Sequence, residues 1–469
     1  MKKLFGTDGM RGEAGRFPLD AATVRVTGRS LARHLAARLG EVDQQRAVRI
    51  ILGRDTRESG EWIERALIDG ASEAGAQIES AGVITTPGVA YLARTLPADA
   101  GVVISASHNP YQDNGIKIFA PSGHKLDEAT ERLIEADIAA AAQQQIEAGV
   151  DLENTRSASS SPEELSGHQA DGRLATLYLN YLAEEIAGGL SLEGLRMVID
   201  CANGAASKLA PALFERLGAS VVAINNSPDG RNINRDCGSL HIESLREKVL
   251  AERADLGVAY DGDADRALFI DEHGEFVDGD ATLWVMAQYL QEKGRLPGAL
   301  VVATVMSNLG LEIALRSLDL KLARTDVGDK FVLDELLRTG AALGGEQSGH
   351  IIFPHLSRAG DGMMTTICLL RAMREKRAKL SALTHGFERY PQVLVNVRVR
   401  EKRPFEELEA VAQAKRETLA QLGERGRLLL RYSGTEALAR IMIEGERQEE
   451  IEHYADRLAS VIKEELGEA

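Results

Sequence analysis

The stretch RIILGRDTRESGEWIERALIDGASEAGAQIESAGV, residues 49–83, reads as one folding unit. It opens with an apolar run that suits a strand buried on both faces. A polar, glycine-containing loop follows. Ile63, Ala66, Leu67 and Ala71 then recur at helical spacing along an amphipathic stretch of about four turns. A second apolar run closes the unit. A strand, a crossover helix and a parallel strand account for this pattern.

The same plan recurs twice. RMVIDCANGAASKLAPALFERLGASVVAINN covers residues 196–226, and LVVATVMSNLGLEIALRSLDLKLARTDVG covers residues 300–328. A further strand follows each unit and ends in an unusual loop. These loops are GVVISASHNP after the first unit, LGVAYDGDADR after the second and AALGGEQSGH after the third. Ligands of open α/β sheets bind at the carboxyl ends of strands. Three related α/β domains would therefore offer three loops to one shared cleft. A run of similar units is the mark of an internally repeated architecture.

The last stretch differs. VLVNVRVR from Val393 alternates like a half-exposed strand. PFEELEAVAQAKRETLAQL reads as an amphipathic helix with Pro404 in its first turn. GRLLLRYSGTEALARIMIEGE suggests two strands around a polar turn, and RQEEIEHYADRLASVIKEEL a closing helix. The fold expected is thus α/β: three related α/β domains with mixed sheets plus a C-terminal α+β domain around a central cleft. The boundaries expected are 1–172, 173–275, 276–387 and 388–469. Residues 140–173, rich in Ala, Gln, Ser and Glu, read as a partly mobile connector between the first two domains.

Composition narrows the function classes. The 469 residues suggest about three or four domains. Lys and Arg number 55 against 71 Asp and Glu, a formal charge of −16. Such a chain is a poor general binder of nucleic acid, so an anionic ligand needs locally concentrated Arg, Lys and backbone N–H groups. Cys201, Cys237 and Cys368 form no CxxC pair and indicate neither a disulfide framework nor a zinc ribbon. The lysines after Met1 are followed by no apolar segment, and no run approaches the ~18 apolar residues of a membrane span. A cytoplasmic protein is expected.

Each loop carries a chemical suggestion. In ISASHNP, Ser107, His108 and Asn109 stand at the tip of a core strand before Pro110. They form either a simple turn, since Ser and Asn bond their own backbone, or a presented nucleophile. In DGDADR, Asp261, Asp263 and Asp265 alternate. Three carboxylates so close repel one another unless a cation lies between them, and hard oxygen ligands suit Mg²⁺. A calcium loop is the rival, with Glu272 at its twelfth position. Against it, Arg266 takes the sixth place, where that loop needs glycine, and the flanks look like strands.

GTDGMRG surrounds Asp8 and Arg11 with glycines that let backbone N–H groups approach an anion. GGEQSGH supplies Glu346, Ser348 and the titratable His350, polar groups that suit sugar hydroxyls. In RYSGTEALAR, Arg431, Ser433, Gly434 and Thr435 make a phosphate cradle. Together the loops call for phosphoryl transfer on a phosphorylated polyol.

These loops, in this order, resemble the α-D-phosphohexomutase superfamily over essentially the whole chain. With TVMSNLGLE and CGSLHIE added, they are similar to its branch acting on glucosamine phosphates. That resemblance implies an isomerase of the intramolecular phosphotransferase type. It would interconvert glucosamine 6-phosphate and glucosamine 1-phosphate on the route to UDP-N-acetylglucosamine, with mutases of glucose or mannose phosphates and a non-catalytic sugar-phosphate binder as rivals. It implies that Ser107, and not Ser105, is the phosphoserine, and that Asp261, Asp263 and Asp265 bind Mg²⁺ with its phosphate. Lys117 and His350 become acid/base candidates, with Arg11 and Arg266 beside the reacting phosphate. Glu346 and Ser348 would contact sugar hydroxyls, while Arg431, Ser433, Gly434 and Thr435 would hold the distal phosphate.

A hexosamine 1,6-bisphosphate is then the intermediate and activator, and a hinged fourth domain closes the cleft. The resemblance also implies a homodimer through the first domain, with His108 and Asn109 shaping the turn. Tyr432 and Ala437 stand where the superfamily commonly has prolines, and Leu240 and Ile242 where Thr and Pro are usual. Loss of two prolines is expected to leave the distal loop more flexible when unbound.

Overall fold

The computed structural model describes residues 3–6, 8–40, 46–147, 172–433 and 436–467. In the first domain the strands are β1 (Phe5–Gly6), β2 (Gly9–Glu13), β3 (Arg49–Arg54), β4 (Gln77–Val83), β5 (Ala100–Ile104) and β6 (Asp113–Phe119). They form one sheet in the order β1-β2-β6-β5-β3-β4. The second domain holds β7 (Arg196–Asp200), β8 (Ser220–Ile224), β9 (Leu256–Tyr260), β10 (Ala267–Asp271) and β11 (Phe276–Val277), ordered β11-β10-β9-β7-β8. The third holds β12 (Leu300–Thr304), β13 (Lys321–Thr325), β14 (Gly344–Gly345) and β15 (Ile351–Ile352), ordered β13-β12-β14-β15.

The threefold repetition read from the sequence is present in the topology. In each repeated unit, which in the first domain begins at β3, the first strand pairs in parallel with the second and with the third: β3 with β4 and β5, β7 with β8 and β9, β12 with β13 and β14. The fourth strand then turns back antiparallel on the third, as β6 on β5, β10 on β9 and β15 on β14. The loops SASHNP, DGDADR and EQSGH therefore fill the same position, the turn between a parallel strand and its antiparallel neighbour. The crossover helices are Gly60–Glu73, Ala206–Arg216 and Leu309–Arg316.

The third crossover helix is shorter than the four turns expected. It stops because Asp319 takes a left-handed φ of 56° and Leu320 N–H returns to Leu315 O at 3.0 Å. In the first domain, helices Ala21–Gly40 and Gly60–Glu73 cross almost backbone to backbone. A Cβ on Gly70 would lie 1.9 Å from Arg25 O, and one on Gly28 2.3 Å from Leu67 O, so only glycine permits this approach.

Helix Glu128–Glu147 overruns the expected connector, because residues 140–147 continue its regular pattern. Residues 148–171 of that connector lie outside the described residues. From Arg173 a helix resumes and passes into a π-helical segment, Tyr181–Ile186. Buried Leu174, Tyr178 and Leu182 pack it against the first three domains, and Tyr181 stacks on Tyr91 with centroids 4.1 Å apart. One apolar core thus runs through domains one to three, which holds their loops at fixed mutual positions.

The C-terminal domain is a three-stranded antiparallel sheet, β16 (Gln392–Arg398), β17 (Gly426–Tyr432) and β18 (Leu438–Gly445), ordered β16-β18-β17, under helices Glu409–Leu422 and Gln448–Leu466. It has its own core, including Val411, Ile441, Ile443, Leu458 and Ile462. Pro404 precedes a short 3₁₀ turn at Phe405–Glu407, and the α-helix begins only at Glu409, so Pro404 is not in its first turn. At the joint to the third domain, Asn308 Nδ2 donates to Glu444 Oε1 at 3.1 Å and to Tyr390 O at 3.0 Å. Among the described residues no helix is long and apolar enough to cross a membrane.

Candidate active site

The strand VVI of β5 is wholly buried, and its ladder ends where the polar residues begin. Ser105 spends its hydroxyl locally: Oγ donates to Asp55 Oδ2 at 2.7 Å and accepts Ser107 N–H at 2.9 Å. Ser107 is built differently. It is 1% exposed and takes a left-handed φ of 53°. A non-glycine residue in that region costs about 1–3 kcal/mol and persists only where its surroundings impose it. Its Oγ donates to Asp261 Oδ2 at 2.6 Å and lies 3.2 Å from His108 Nδ1.

The surroundings that impose this are buried. Arg57 Nε donates to Asp55 Oδ2 at 2.9 Å, and its two Nη atoms donate to the carbonyls of Ser107, Asn109, Pro110 and Asp113. Asn234, from the second domain, donates to the carbonyls of Ser107 at 2.8 Å and Asn109 at 3.1 Å. Asn109 itself spans the turn, with Nδ2 donating to Asp113 Oδ2 at 2.9 Å.

Asp261, Asp263 and Asp265 lie in the turn between β9 and β10, buried, with one ligand oxygen of each within 4.8 Å of the others. Gly262 packs on the nucleophile's loop, since a Cβ there would lie 2.5 Å from Ser107 O. Burial, reinforced by Asp265 and Asp263, pushes the Asp261 carboxyl well above the ordinary aspartate range. Burial also opposes the Asp265 charge, but Lys117 and His350 outweigh it and hold that carboxyl well down. Asp263 Oδ1 and Asp265 Oδ1 are buried without a hydrogen-bond partner. Crowded hard oxygens with free lone pairs fit a small divalent cation. The calcium-loop reading fails on its twelfth ligand: both flanks are strands, and the Glu272 carboxylate accepts the Ser381 N–H at 3.4 Å, away from the triad.

Lys117, on β6, faces the triad with Nζ 2.8 Å from Asp263 Oδ2, 3.2 Å from Asp8 Oδ2 and 3.6 Å from Asp265 Oδ2. Burial alone would lower its pKa; Asp263, Asp8 and Asp265 more than reverse this and keep it protonated. His350 Nδ1 lies 3.5 Å from Asp265 Oδ1, and its Nε2 is buried with no hydrogen-bond partner. Burial opposes protonation there too, but Asp265 prevails and raises the imidazole to about 9. His108 goes the other way: burial, Arg266 and Arg11 bring it down to about 4, so it is neutral at physiological pH.

Arg11 Nη1 approaches Ala106 O at 3.3 Å, and its other nitrogen pairs with Asp8. Arg266 backbone N–H donates to Asp261 Oδ1 at 3.2 Å, while its Nε, buried without a hydrogen bond, lies 3.9 Å from Asp265 Oδ1. Glu346 and Ser348 share the β14–β15 turn with His350; Glu346 Oε1 accepts Gly328 N–H at 3.1 Å, and Ser348 Oγ has no partner.

The structure thus brings together Ser107, Arg11, Lys117, the three aspartates, Arg266 and His350, from three domains. In the fourth domain, Arg431 is the penultimate residue of β17, and Ser433 Oγ accepts Glu436 N–H at 3.3 Å. Among the described residues, no hydrogen bond or ion pair joins Arg431 or Ser433 to the other cluster, and Gly434 and Thr435 lie outside the described residues. Tyr432 is tied down: its ring stacks on Phe405 at 4.2 Å and its hydroxyl donates to Arg403 O. At that position a stacked aromatic replaces the restraint that a proline would give.

Sequence reasoning named Asp8 but gave it no role, although it bridges Arg11, Lys117 and Lys125; it missed Lys125, whose Nζ spans from Asp8 Oδ1 at 2.9 Å to Asp329 Oδ1 at 2.7 Å in the third domain. It also missed Asp55, Arg57, Thr86 and Asn234. The alternation of Asp55 and Arg57 directly after β3 was a usable signal. Nothing local marks Asn234.

Comparison with known proteins identifies the family. The chain matches the four domain models of phosphoglucomutase/phosphomannomutase: alpha/beta/alpha domains I, II and III at residues 2–145, 176–274 and 278–390, and the C-terminal domain at 394–461. The chain belongs to this family of four-domain phosphohexomutases. Within it, the chain groups with phosphoglucosamine mutases. That of Solibacter usitatus is 48% identical, with both chains covered in full, and that of Desulfovibrio desulfuricans 45% identical over 99% of each. A phosphoglucomutase/phosphomannomutase family protein from Burkholderia thailandensis shares the fold, with a TM-score of 0.77 at 23% identity over 99% of this chain and 98% of that one. An Aspergillus fumigatus N-acetylphosphoglucosamine mutase, solved with GlcNAc-6P and magnesium, gives a TM-score of 0.64 at 18% identity over 98% and 95%.

Proposed function

We propose that this protein is a phosphoglucosamine mutase, interconverting glucosamine 6-phosphate and glucosamine 1-phosphate in the cytoplasm. The observation carrying this reading is the strained, buried Ser107, whose Oγ is aimed at Asp261 inside a three-carboxylate cluster. The mutases that resemble the chain over its full length supply the substrate class.

Asp261, Asp263 and Asp265, with a phosphate on Ser107, would hold Mg²⁺. When bound, the ion supplies positive charge that offsets the charge on the transferring phosphoryl group. Ser107 presents that group at the tip of β5. Lys117 and Arg266 stand beside it as fixed positive charges, which stabilise the spread negative charge of a loose transition state. Against burial, Asp263, Asp8 and Asp265 hold Lys117 protonated, so it can serve as a positive charge or as a proton donor beside that group.

His350 Nε2 has no hydrogen bond, and in each transfer the protonated ring can give its proton to the departing oxygen and take up the proton of the attacking hydroxyl, so the imidazolium is restored within the step. Glu346 and Ser348 would orient the sugar. Arg431, Ser433, Gly434 and Thr435 would grip the distal phosphate in either orientation. A hexosamine 1,6-bisphosphate is the intermediate, and its reorientation returns the opposite phosphate to Ser107. Closure of the fourth domain excludes water during this.

The test is kcat/KM for glucosamine 1-phosphate, glucose 1-phosphate and mannose 1-phosphate, with Mg²⁺ and a hexose 1,6-bisphosphate activator. The amino sugar should give the highest value. A higher value for glucose 1-phosphate or mannose 1-phosphate overturns the assignment, and binding without any turnover would make the protein a sugar-phosphate binder.

A further inference from the structure

The loop carrying Ser107 is gripped by its backbone from two sides. All five N–H donors of the wholly buried Arg57 are used: one on Asp55 Oδ2, and four on the carbonyls of Ser107 (2.9 Å), Asn109 (2.8 Å), Asp113 (3.0 Å) and Pro110. Such a fork can do this only because guanidinium is planar and rigid. Asn234 Nδ2, from the second domain, adds a second donor to two of those carbonyls, Ser107 at 2.8 Å and Asn109 at 3.1 Å. Asn234 is itself held left-handed, φ 57°, with its N–H on Ala202 O at 2.9 Å. Nearby, Thr56 Oγ1 donates to Asn203 O at 2.6 Å and Glu58 N–H to Gly230 O at 2.9 Å, so the two domains meet along this edge.

We propose that Arg57 and Asn234 are positioning residues, a clamp drawn from two domains that holds Ser107 in its left-handed conformation with Oγ facing Asp261. Ser107 and Asn109 flank the turn that would relax if φ of Ser107 became negative, and each of their carbonyls receives one donor from each domain. The clamp also makes presentation conditional. The second domain, which supplies the aspartates, fixes the nucleophile's backbone through Asn234, so the phosphoryl group is aligned only when the two domains are in register. Neither residue touches the reacting atoms; both act through the backbone of Ser107. This inference rests on Ser107 being the phosphoryl carrier.

The experiment compares Asn234→Ala and Asn234→Asp with the full-length wild type at saturating Mg²⁺. Alanine removes the amide donor, and aspartate keeps the shape but offers no N–H. Both variants should lose kcat by about 10- to 100-fold, the scale of a small misplacement of a reacting group. KM for glucosamine 1-phosphate should stay within about twofold, because sugar contacts are untouched. The rate at which glucosamine 1,6-bisphosphate phosphorylates the enzyme should fall in parallel with kcat. Arg57→Lys, which keeps the charge and loses the fork, should show the same split. A wild-type kcat in both Asn234 variants, or a loss confined to KM, overturns the clamp. Turnover retained by Ser107→Ala overturns the underlying reading instead, and the two failures are separately visible.

Discussion

Ser107 Oγ and Asp261 Oδ2 stand 2.6 Å apart, although they are 154 positions apart in the chain and lie in loops that follow strands of different sheets. The contact puts the one strained serine of the β5 loop directly on the carboxylate cluster of the β9 loop. Two equivalent turns of a repeated topology thereby become one site, and the equivalent turn of the third domain brings His350 to Asp265.

The role of the aspartates is tested at Asp263. Its Oδ2 accepts Lys117 Nζ at 2.8 Å and the hydroxyl of Thr86, while Oδ1 is free. Asp263→Asn should lower kcat roughly tenfold or more with a smaller effect on KM, since the loss falls on the transition state. Steady-state kinetics across a Mg²⁺ titration decide this; an unchanged kcat at saturating metal contradicts the assignment.

Ser105 should behave as a structural residue. Its hydroxyl joins Asp55 to the Ser107 N–H. Ser105→Ala leaves that buried N–H unpaired, at a cost of about 1–3 kcal/mol in stability. Denaturant melts should show the loss, and phosphopeptide mapping of the variant should still find phosphate on Ser107.

Asp361 gives stability a pH dependence. It caps helix Gly362–Lys376 through Met364 N–H at 3.0 Å and accepts Tyr178 Oη at 2.7 Å. Burial raises its pKa from 3.8 to about 6. A carboxyl raised on folding favours the native state below the unfolded value and loses that contribution as pH climbs through the folded one. Asp361→Asn keeps the neutral shape and a carbonyl oxygen for Met364 N–H, while its NH2 group donates to Tyr178 Oη, which turns to accept. Wild type and variant should therefore match at pH 3.5, and the variant should become the more stable by a few kcal/mol above pH 6. Urea midpoints from pH 3.5 to 8 measure the difference; a constant gap contradicts it.

The joint between the third and fourth domains rests on Glu444. The side chain is wholly buried, accepting from Asn308 Nδ2 at 3.1 Å and Arg427 Nε at 2.7 Å. Glu444→Ala leaves Arg427 without its carboxylate, which for buried pairs costs about 3–5 kcal/mol. Chemical denaturation should register that loss. Glu444→Gln, which retains an acceptor, should lose less.

Much of this architecture was legible in the sequence because buried parallel strands and amphipathic helices have distinct periods, and the unit Arg49–Val83 wrote both plainly. The loops were legible because polar residues interrupt apolar strands at equivalent points. Other features were not. Asn234 reaches the Ser107 carbonyl across domains, and no local pattern announces such a bond. Residues 140–147 looked like a linker because their Ala and Gln content is poor in apolar marks, yet Ala and Gln are good helix formers, and the helix runs on to Glu147. Pro404 suggested a helix start, but the chain makes a 3₁₀ turn before the helix opens at Glu409. Lys125 and Asp329 are joined only by tertiary folding.

The most direct test of the central claim follows labelled phosphate. The dephosphorylated protein is incubated with glucosamine 1,6-bisphosphate, digested and mapped, and then chased with glucosamine 6-phosphate. A single phosphate on Ser107, leaving as the sugar phosphate turns over, is the expected result. Phosphate found reproducibly on Ser105, or turnover persisting in Ser107→Ala, would contradict it.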